Sequence, residues 1–324
     1  MRIESIKLQN FRCFENLELK FHEQLTVIVG KNASGKSTIL DAVAISVGTF
    51  PSSFDGIGNY GIKKEDARLV TNIFGDSLNI SSVYPVILSS TGFVNNQEVH
   101  WKRTLTTSNG RCTLASAKEI TAITNEYQKR IIEGDTTVVL PLVAYYGIGR
   151  LWLQHREKKE DVLLNSSRTN GYIDCMDSAA NDKLIMNWLN KETSKKLQKK
   201  TGTAAFDAVI MAIEKCISLL IESNDVTVSY NFDNNDLDIQ YKKDDQEVIL
   251  PLNRMSDGYK CTISLITDIA YRMAQLNPQL REKVLDAPGV VIIDEIDLHL
   301  HPEWQKRILG DLTSIFPHIQ FIVS

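Results

Sequence analysis

The segment Gly30-Lys31-Asn32-Ala33-Ser34-Gly35-Lys36-Ser37 places four residues between two glycines and follows the second with a lysine and a hydroxyl. Two glycines at that spacing let the backbone wrap so that successive N–H groups point at one centre, a concavity suited to phosphate oxygens. Lys36 supplies a cation to the β- and γ-phosphates of a nucleoside triphosphate, and the Ser37 hydroxyl can ligate Mg2+. A helix starting here adds its N-terminal dipole. The competing explanation is a chance glycine turn before a helix; with ordinary composition such a match arises in about 1% of chains this long. The nucleotide-binding set therefore comprises Gly30, Lys31, Asn32, Ala33, Ser34, Gly35, Lys36, Ser37 and Thr38.

Two further groups fit the same chemistry. Val290-Val291-Ile292-Ile293-Asp294-Glu295 is an apolar run ending in two carboxylates, which puts the acids at the C-terminal edge of a buried strand, where open α/β sheets bind ligands. Asp294 is the candidate to hold Mg2+ through its water shell. Glu295 is the candidate to orient or deprotonate the attacking water, with Lys36 as its catalytic companion on the phosphates. Alone, such a strand could simply end in surface acids. Met255-Ser256-Asp257-Gly258-Tyr259-Lys260 opens a helix upstream: Ser256 suits an N-cap, and Gly258 permits close approach of a phosphate to free N–H groups. A plain helix cap is the bland alternative.

The elements that position these residues follow from periodicity. Residues 3–8 and 17–21 alternate as two antiparallel strands. Residues 25–29 read as a strand buried on both faces, followed by the glycine turn and a helix closed by Gly48. Residues 49–80 read as loop. Residues 80–105 return to strand with a turn at Asn95-Asn96, and 136–146 is a buried strand that Pro141 confines to an edge or breaks. Residues 175–222 are helical, with Phe206, Val209, Ile213, Cys216, Ile217 and Leu220 on one face. A small β unit is expected over 226–250, helices over 257–276 and from Pro302 to 313, and strands over 290–294 and 319–323.

Bulk properties exclude several classes. The 324 residues carry 36 basic and 40 acidic side chains, net −4, so no global basic field advertises nucleic acid. Five scattered cysteines without C-x-x-C argue against a disulfide framework or zinc site and fit a reducing cytoplasm. No apolar run approaches the ~20 residues of a bilayer span, and the N-terminus lacks a signal-peptide pattern. A cytoplasmic protein is expected. The lysines at 191, 195, 196, 199 and 200 are read as a solvated helix face, with phosphate contact as the alternative. Trp152 and Trp188 are read as core aromatics.

In this order, the P-loop, the Ser-x-Gly helix start and the Asp-Glu strand resemble the ABC ATPase family. The opening Ile6-Lys7-Leu8-Gln9-Asn10-Phe11-Arg12-Cys13-Phe14 resembles its RecF, SMC and Rad50 branch. Residues 140–152, Ser167-Arg168 to Gly171-Tyr172, and Asp297-Leu298-His299-Leu300-His301-Pro302 are similar to the bacterial ATPases of the Septu and retron-associated anti-phage type. The resemblance implies an α/β, RecF/SMC-like P-loop fold with an antiparallel β lobe and an inserted helical lid. Its ATPase core would be residues 1–48 plus 250–324, with a β lobe over 49–149 and a mainly helical insertion over 150–249. It implies that Ser256 and Gly258 bind in trans the γ-phosphate held by a second copy, making a head-to-tail dimer or higher homo-oligomer. Arg12 is a candidate nucleotide contact. Asp297 and His299 fall in a loop crossing the dimer interface, a role set against a metal pair of His299 and His301. Tyr146 and Arg150 occupy the neighbourhood where the family places a glutamine. The family's histidine after the last strand would begin at Ser324, which implies a longer protein; a chain complete as it stands would hydrolyse weakly.

The expectation is an ATPase using ATP and Mg2+ that regulates a partner nuclease, of HNH type, in an anti-phage complex. Nucleic acid or a reverse transcriptase with its DNA product are further candidate partners. A RecF-like repair ATPase binding DNA directly and a nucleotide-gated scaffold with little turnover are the alternatives. A transporter subunit does not fit the long insertion.

Overall fold

Alternation at the N-terminus folds as the pattern requires. β1 (Arg2–Phe11) buries Ile3, Ile6, Leu8 and Phe11 and pairs antiparallel with β2 (Phe14–Lys20). β3 (Leu25–Val27) and the glycine turn lead into α1 (Lys36–Val47). The computed structural model describes residues 1–74, 77–148, 167–177, 182–199, 204–243, 246–298 and 300–324.

The segment over 49–80, expected as loop, holds a hairpin of β4 (Leu69–Phe74) and β5 (Ser77–Ser82). β5 is exposed at every position, so its backbone pairs without leaving a buried-face signature in the sequence. β6 (Val86–Val94) and β7 (Gln97–Leu105) flank Asn95 and Asn96, at φ 49° and 62°, the paired positive dihedrals that a tight hairpin of matching twist requires. α2 (Lys118–Ile132) follows, a helix that the sequence reading did not anticipate; only Ile120, Thr124 and Tyr127 are buried on it. β8 (Leu142–Tyr146) starts just after Pro141 and lies at a sheet edge, as that proline demanded.

Beyond it come α3 (Asp182–Lys199), α4 (Ala204–Ile221), β9 (Val226–Asn231), β10 (Asp236–Lys243), β11 (Gln246–Pro251) and α5 (Asp257–Leu276). β12 (Gly289–Ile293), α6 (Pro302–Gln305), α7 (Ile308–Ile315) and β13 (Ile319–Val323) complete the described elements. The single helix expected from Pro302 is thus two short ones. Trp304 packs edge-on against Tyr259 with centroids 4.3 Å apart, while Ile308, Leu312 and Ile315 bury together, so two anchors replace one stripe.

The chain forms two compact units. The first comprises Met1–Tyr145, Pro288–Asp294 and Gln320–Ser324; the second comprises Tyr146–Ala287 and Glu295–Ile319. In the first, an antiparallel sheet ordered β2-β1-β6-β7 and a second sheet ordered β3-β13-β12-β8 enclose α1, which packs on β12 as well as on β1, β6 and β7. That double packing explains why every residue of α1 from Ala42 to Val47 is buried, with no polar face. Trp101 Nε1 donates to the Ser46 carbonyl (2.9 Å) and hydroxyl (3.0 Å), fixing the helix to β7. Buried Gln320 closes the ends of the chain, exchanging two 2.8 Å bonds with the Ile3 backbone. β3 corrects the expected doubly buried strand over 25–29. It is short and sits at the sheet edge, so Val27 is 44% exposed and Val29 87%.

The second unit is built on α4 and α5. Phe206, Val209, Ile213, Cys216, Ile217 and Leu220 form the buried stripe that spacing predicted, and α4 packs against α5, α7 and β9. β9, β10 and β11 make a three-stranded antiparallel sheet ordered β11-β10-β9.

Candidate functional site

The turn after β3 takes backbone shapes that its glycines permit. Gly35 sits at φ 92°, and a Cβ there would fall 2.7 Å from Phe14 Cζ; a Cβ on Gly30 would fall 2.5 Å from Ser34 Oγ. Ala33 also has positive φ, 64°. Gly35 is the N-cap of α1 and no side chain caps the helix, which leaves its first-turn N–H groups without a side-chain acceptor. Lys36 folds back over the turn, donating to the carbonyls of Gly30 (2.9 Å) and Lys31 (3.3 Å). Lys31, Asn32, Ala33 and Ser34 are exposed, and Gly35, Lys36, Ser37 and Thr38 half-buried. A lysine held only by two neutral carbonyls at the rim of such a turn is poised to exchange them for anionic oxygens, with which hydrogen bonds are stronger.

Arg12 lies in the same unit, with a different set of contacts from the one its sequence position suggests. Its guanidinium bonds Asp41 of α1 and buried Asp66 (Nε–Oδ1 2.8 Å), and its backbone N–H donates to the Asp66 carbonyl at 2.8 Å. Burial opposes the guanidinium charge, but the hydrogen bonds to Asp41 and Asp66 outweigh it and raise the pKa. The other Asp41 oxygen accepts from the Tyr145 hydroxyl at 2.7 Å. Burial, and then the negative charges of Asp41 and Asp294, push the Tyr145 hydroxyl far up, so it stays a donor.

Asp294 ends the first unit's part of the chain after β12 and is 2% exposed. It accepts from the Ser324 hydroxyl at 2.6 Å, and the Ser324 N–H donates to the Ile293 carbonyl at 3.1 Å. Glu295, the first residue beyond it in the second unit, is half-buried at φ 49°, a left-handed turn that ends the strand direction abruptly. Ser37 and Asp294 offer oxygen donors alone, which fits Mg2+ rather than a softer metal.

In the second unit Ser256 occupies the N-cap of α5 at φ −67°, ψ 158°. Its side chain makes no capping bond, so the bland capping role is not the one it plays here; the residue is exposed while Met255 and Gly258 are buried. His301 is the N-cap of α6, its ring accepting from the Glu303 N–H, which supports the helix-start reading over a metal pair. Arg150, Trp152, Lys200 and His299 lie outside the described residues, as does the side chain of Lys199. Lys195 pairs with Glu192 and Lys196 with Asp207 at 2.7 Å, so part of the lysine run is neutralised. Trp188 packs on Phe206 and Tyr271 as a core aromatic. The first unit thus brings together the P-loop, Arg12 and Asp294, and the second holds Ser256, Gly258 and Glu295.

The sequence reading missed Asp41, Asp66 and Tyr145. Asp41 carried a signal: it is the sole charge after Lys36 in the helix, four residues beyond Ser37 and so on its face.

A fold in which a glycine turn opens a helix beside an Asp-terminated strand defines a P-loop ATPase. A family model for the AAA domain matches residues 5–220, a second AAA-domain model matches 181–324, and the chain belongs to this AAA-domain family. It is 27% identical to the Retron Vc95 probable ATPase of Vibrio cholerae serotype O1 biovar El Tor, over 100% of this chain and 70% of that one. It is 26% identical to the Retron Ec83 probable ATPase of Escherichia coli, over 100% and 68%. The Septu protein PtuA of Bacillus mycoides (strain KBAB4) is 25% identical over 99% of this chain, which spans 38% of that protein. The fold is similar to an SmcHead solved with the C-winged helix domain of ScpA (TM-score 0.55, 17% identity, 100% and 89% covered). An Smc head bound to the C-terminal domain of ScpA derived from Pyrococcus furiosus gives TM-score 0.53 at 18% identity, with 99% and 88% covered. The expected RecF/SMC-like α/β fold is therefore the observed one. Among the described residues no helix is long and apolar enough to cross a membrane.

Proposed function

We propose that this chain binds and hydrolyses ATP as a subunit of an anti-phage assembly, with two copies sharing ATP sites and a partner nuclease under their control. The observation that carries the reading is similarity along the entire chain to two proteins named as retron probable ATPases. Residues 1–48 and 250–324 would supply the ATPase core, 49–149 the β lobe and 150–249 the helical insertion.

In this mechanism the amides of Gly30–Ser37 and the dipole of α1 grip the phosphates, as an uncapped helix start favours. Lys36 trades the Gly30 and Lys31 carbonyls for β- and γ-phosphate oxygens. Ser37 and Asp294 would hold Mg2+, which neutralises charge building on the phosphates. Thr38, Asn32, Ala33 and Ser34 shape the cradle. Glu295 orients or deprotonates the water that attacks the γ-phosphorus, breaking its bond to the β,γ-bridging oxygen. The uncapped Ser256 hydroxyl and the amides beside Gly258, from the second copy, complete the γ-phosphate shell. The cytoplasm is the compartment that such a role requires.

Coexpression with a nuclease of HNH type, should one be encoded beside this chain, tests the assembly. Phage protection that needs both genes and disappears with Lys36→Ala supports the proposal; protection by the nuclease alone, or by the Lys36→Ala pair, refutes it. The paired state of Lys195 and Lys196 weighs against direct DNA binding. Tight, ATP-dependent duplex binding by the isolated chain would favour the repair reading instead.

A further inference from the structure

The hairpin of β4 and β5 holds its aliphatic side chains in water. Its register sets Leu69 opposite Ser82, Thr71 opposite Ile80 and Ile73 opposite Leu78. Directly opposed residues share a face, and so do alternate residues along a strand. Leu69, Ile73, Leu78 and Ile80 therefore stand together on one face, and they are 64%, 74%, 63% and 57% exposed. On the other face Val70 lies opposite Ser81 and Asn72 opposite Asn79. The base of the hairpin is anchored within the first unit. There the Arg68 N–H donates to the Asn10 carbonyl at 3.0 Å, and the Val83 N–H to the Arg68 carbonyl at 2.8 Å.

Single exposed aliphatic residues are ordinary on a protein surface, whereas a contiguous apolar face marks an interaction site. A two-stranded ribbon is also marginal in water until its apolar face is covered. Charge indicates what covers this one. Neither strand contains an Asp, Glu, Lys or Arg. The edge strands β2, β7 and β11 do carry exposed charges, among them Glu18, Lys20, Lys102 and Glu247, the usual guard against pairing with another chain. A partner recognised by charge finds nothing to read on the β4–β5 face. A second copy needs none: a two-fold contact sets a patch against itself, where charges of one sign would repel and aliphatic side chains interlock. Size sets the strength. Four side chains from each copy fall short of the roughly 1,200–2,000 Å² that a stable interface buries, so the contact is a weak one that adds to others.

We propose that the β4–β5 hairpin is a self-association face, on which two copies of this chain stack hairpin against hairpin and bury Leu69, Ile73, Leu78 and Ile80 of each. The contact uses no part of the glycine turn or of the Ser256 helix start. It therefore forms without nucleotide and stands whether or not the ATPase reading holds. In a chain that also pairs through ATP, it links the pairs into larger assemblies.

The experiment is sedimentation without nucleotide, over about 1–100 µM chain, the range of a weak contact. It compares the parent, Ile73→Lys, Ile73→Glu and an equimolar mixture of the two variants. The parent is expected to associate as concentration rises, and each variant alone to associate at least about tenfold more weakly, because like charges then face each other. The mixture is expected to regain association, since its charges are opposite. A parent that stays monomeric throughout, or variants that associate as the parent does, overturn the proposal. A mixture that stays apart also overturns it, and gives the face to a different protein. Ile73 is largely exposed, so a charge there is compatible with the fold. Should a variant fail to fold, amide exchange on the parent decides. Protection over 69–74 and 77–82 must rise with concentration, and unchanged protection overturns the self-association face.

Discussion

Among the helix starts without a side-chain cap, those of α1 and α5 are built in opposite ways. At α1 the N-cap is left-handed Gly35 at φ 92°, and the preceding turn curls so tightly that Lys36 reaches back to two of its carbonyls. At α5 the N-cap is Ser256 in ordinary extended backbone, following a short helical turn over Leu252–Arg254, with its side chain exposed. In the proposed function the first is a cradle, offering amides and a cation to a polyphosphate. The second is proposed as a tip, a hydroxyl and a few amides that complete a cradle supplied from elsewhere. Both carry the favourable end of a helix dipole, so the contrast teaches that concavity, rather than the dipole, separates the grip from the lid.

This division of roles can be broken by experiment, starting where the effect is greatest. Glu295→Gln keeps the shape and removes the base; turnover is expected to fall about 100–1000-fold with ATP affinity retained, and equal phosphate-release rates would mean the parent barely hydrolyses. Lys36→Ala strikes the cradle itself. ATP affinity by calorimetry is expected to drop about 100-fold, roughly the 2.7 kcal/mol of a charge-assisted contact, and an unchanged affinity would dismantle the site.

Ser256→Arg blocks the tip alone. Binding of ATP to the single chain is expected to stay within a factor of about two, while ATP-driven dimerisation weakens about tenfold or more, since an added cation and bulk must be accommodated. An equal loss of both would erase the distinction between cradle and tip. Arg12→Ala is the finest test. Removing the partner of buried Asp66 from a guanidinium 36% exposed is expected to cost about 1–2 kcal/mol of stability, read as a lower Tm, after allowing for solvent screening. ATP affinity is expected to change less than about threefold. A loss approaching that of Lys36→Ala would support the nucleotide contact that the family resemblance implies for this arginine.

Local chemistry wrote much of this molecule into its sequence. The glycine-lysine spacing announces the turn, in which Gly35 takes a left-handed backbone that favours glycine and Lys36 brings the charge. Asn95-Asn96 announces a hairpin because it accepts two positive φ values in succession. The stripe on α4, the span of α5 and the buried β12 follow from periodicity alone. What stayed hidden depended on partners far along the chain. β3 reads as a buried strand, yet its neighbours leave it at an edge; β5 reads as loop, yet it pairs. Arg12 announced no ion pair, yet folding brings Asp66 and Asp41 to it, 54 and 29 residues away. The hydroxyls of Tyr145 and Tyr146 meet carboxylates 104 and 122 residues distant, which no local pattern announces. Turn shape and amphipathic period are decided within a few residues, so sequence determines them; the pairing of buried charges and hydroxyls is decided by which distant segments converge, and only the tertiary structure holds that.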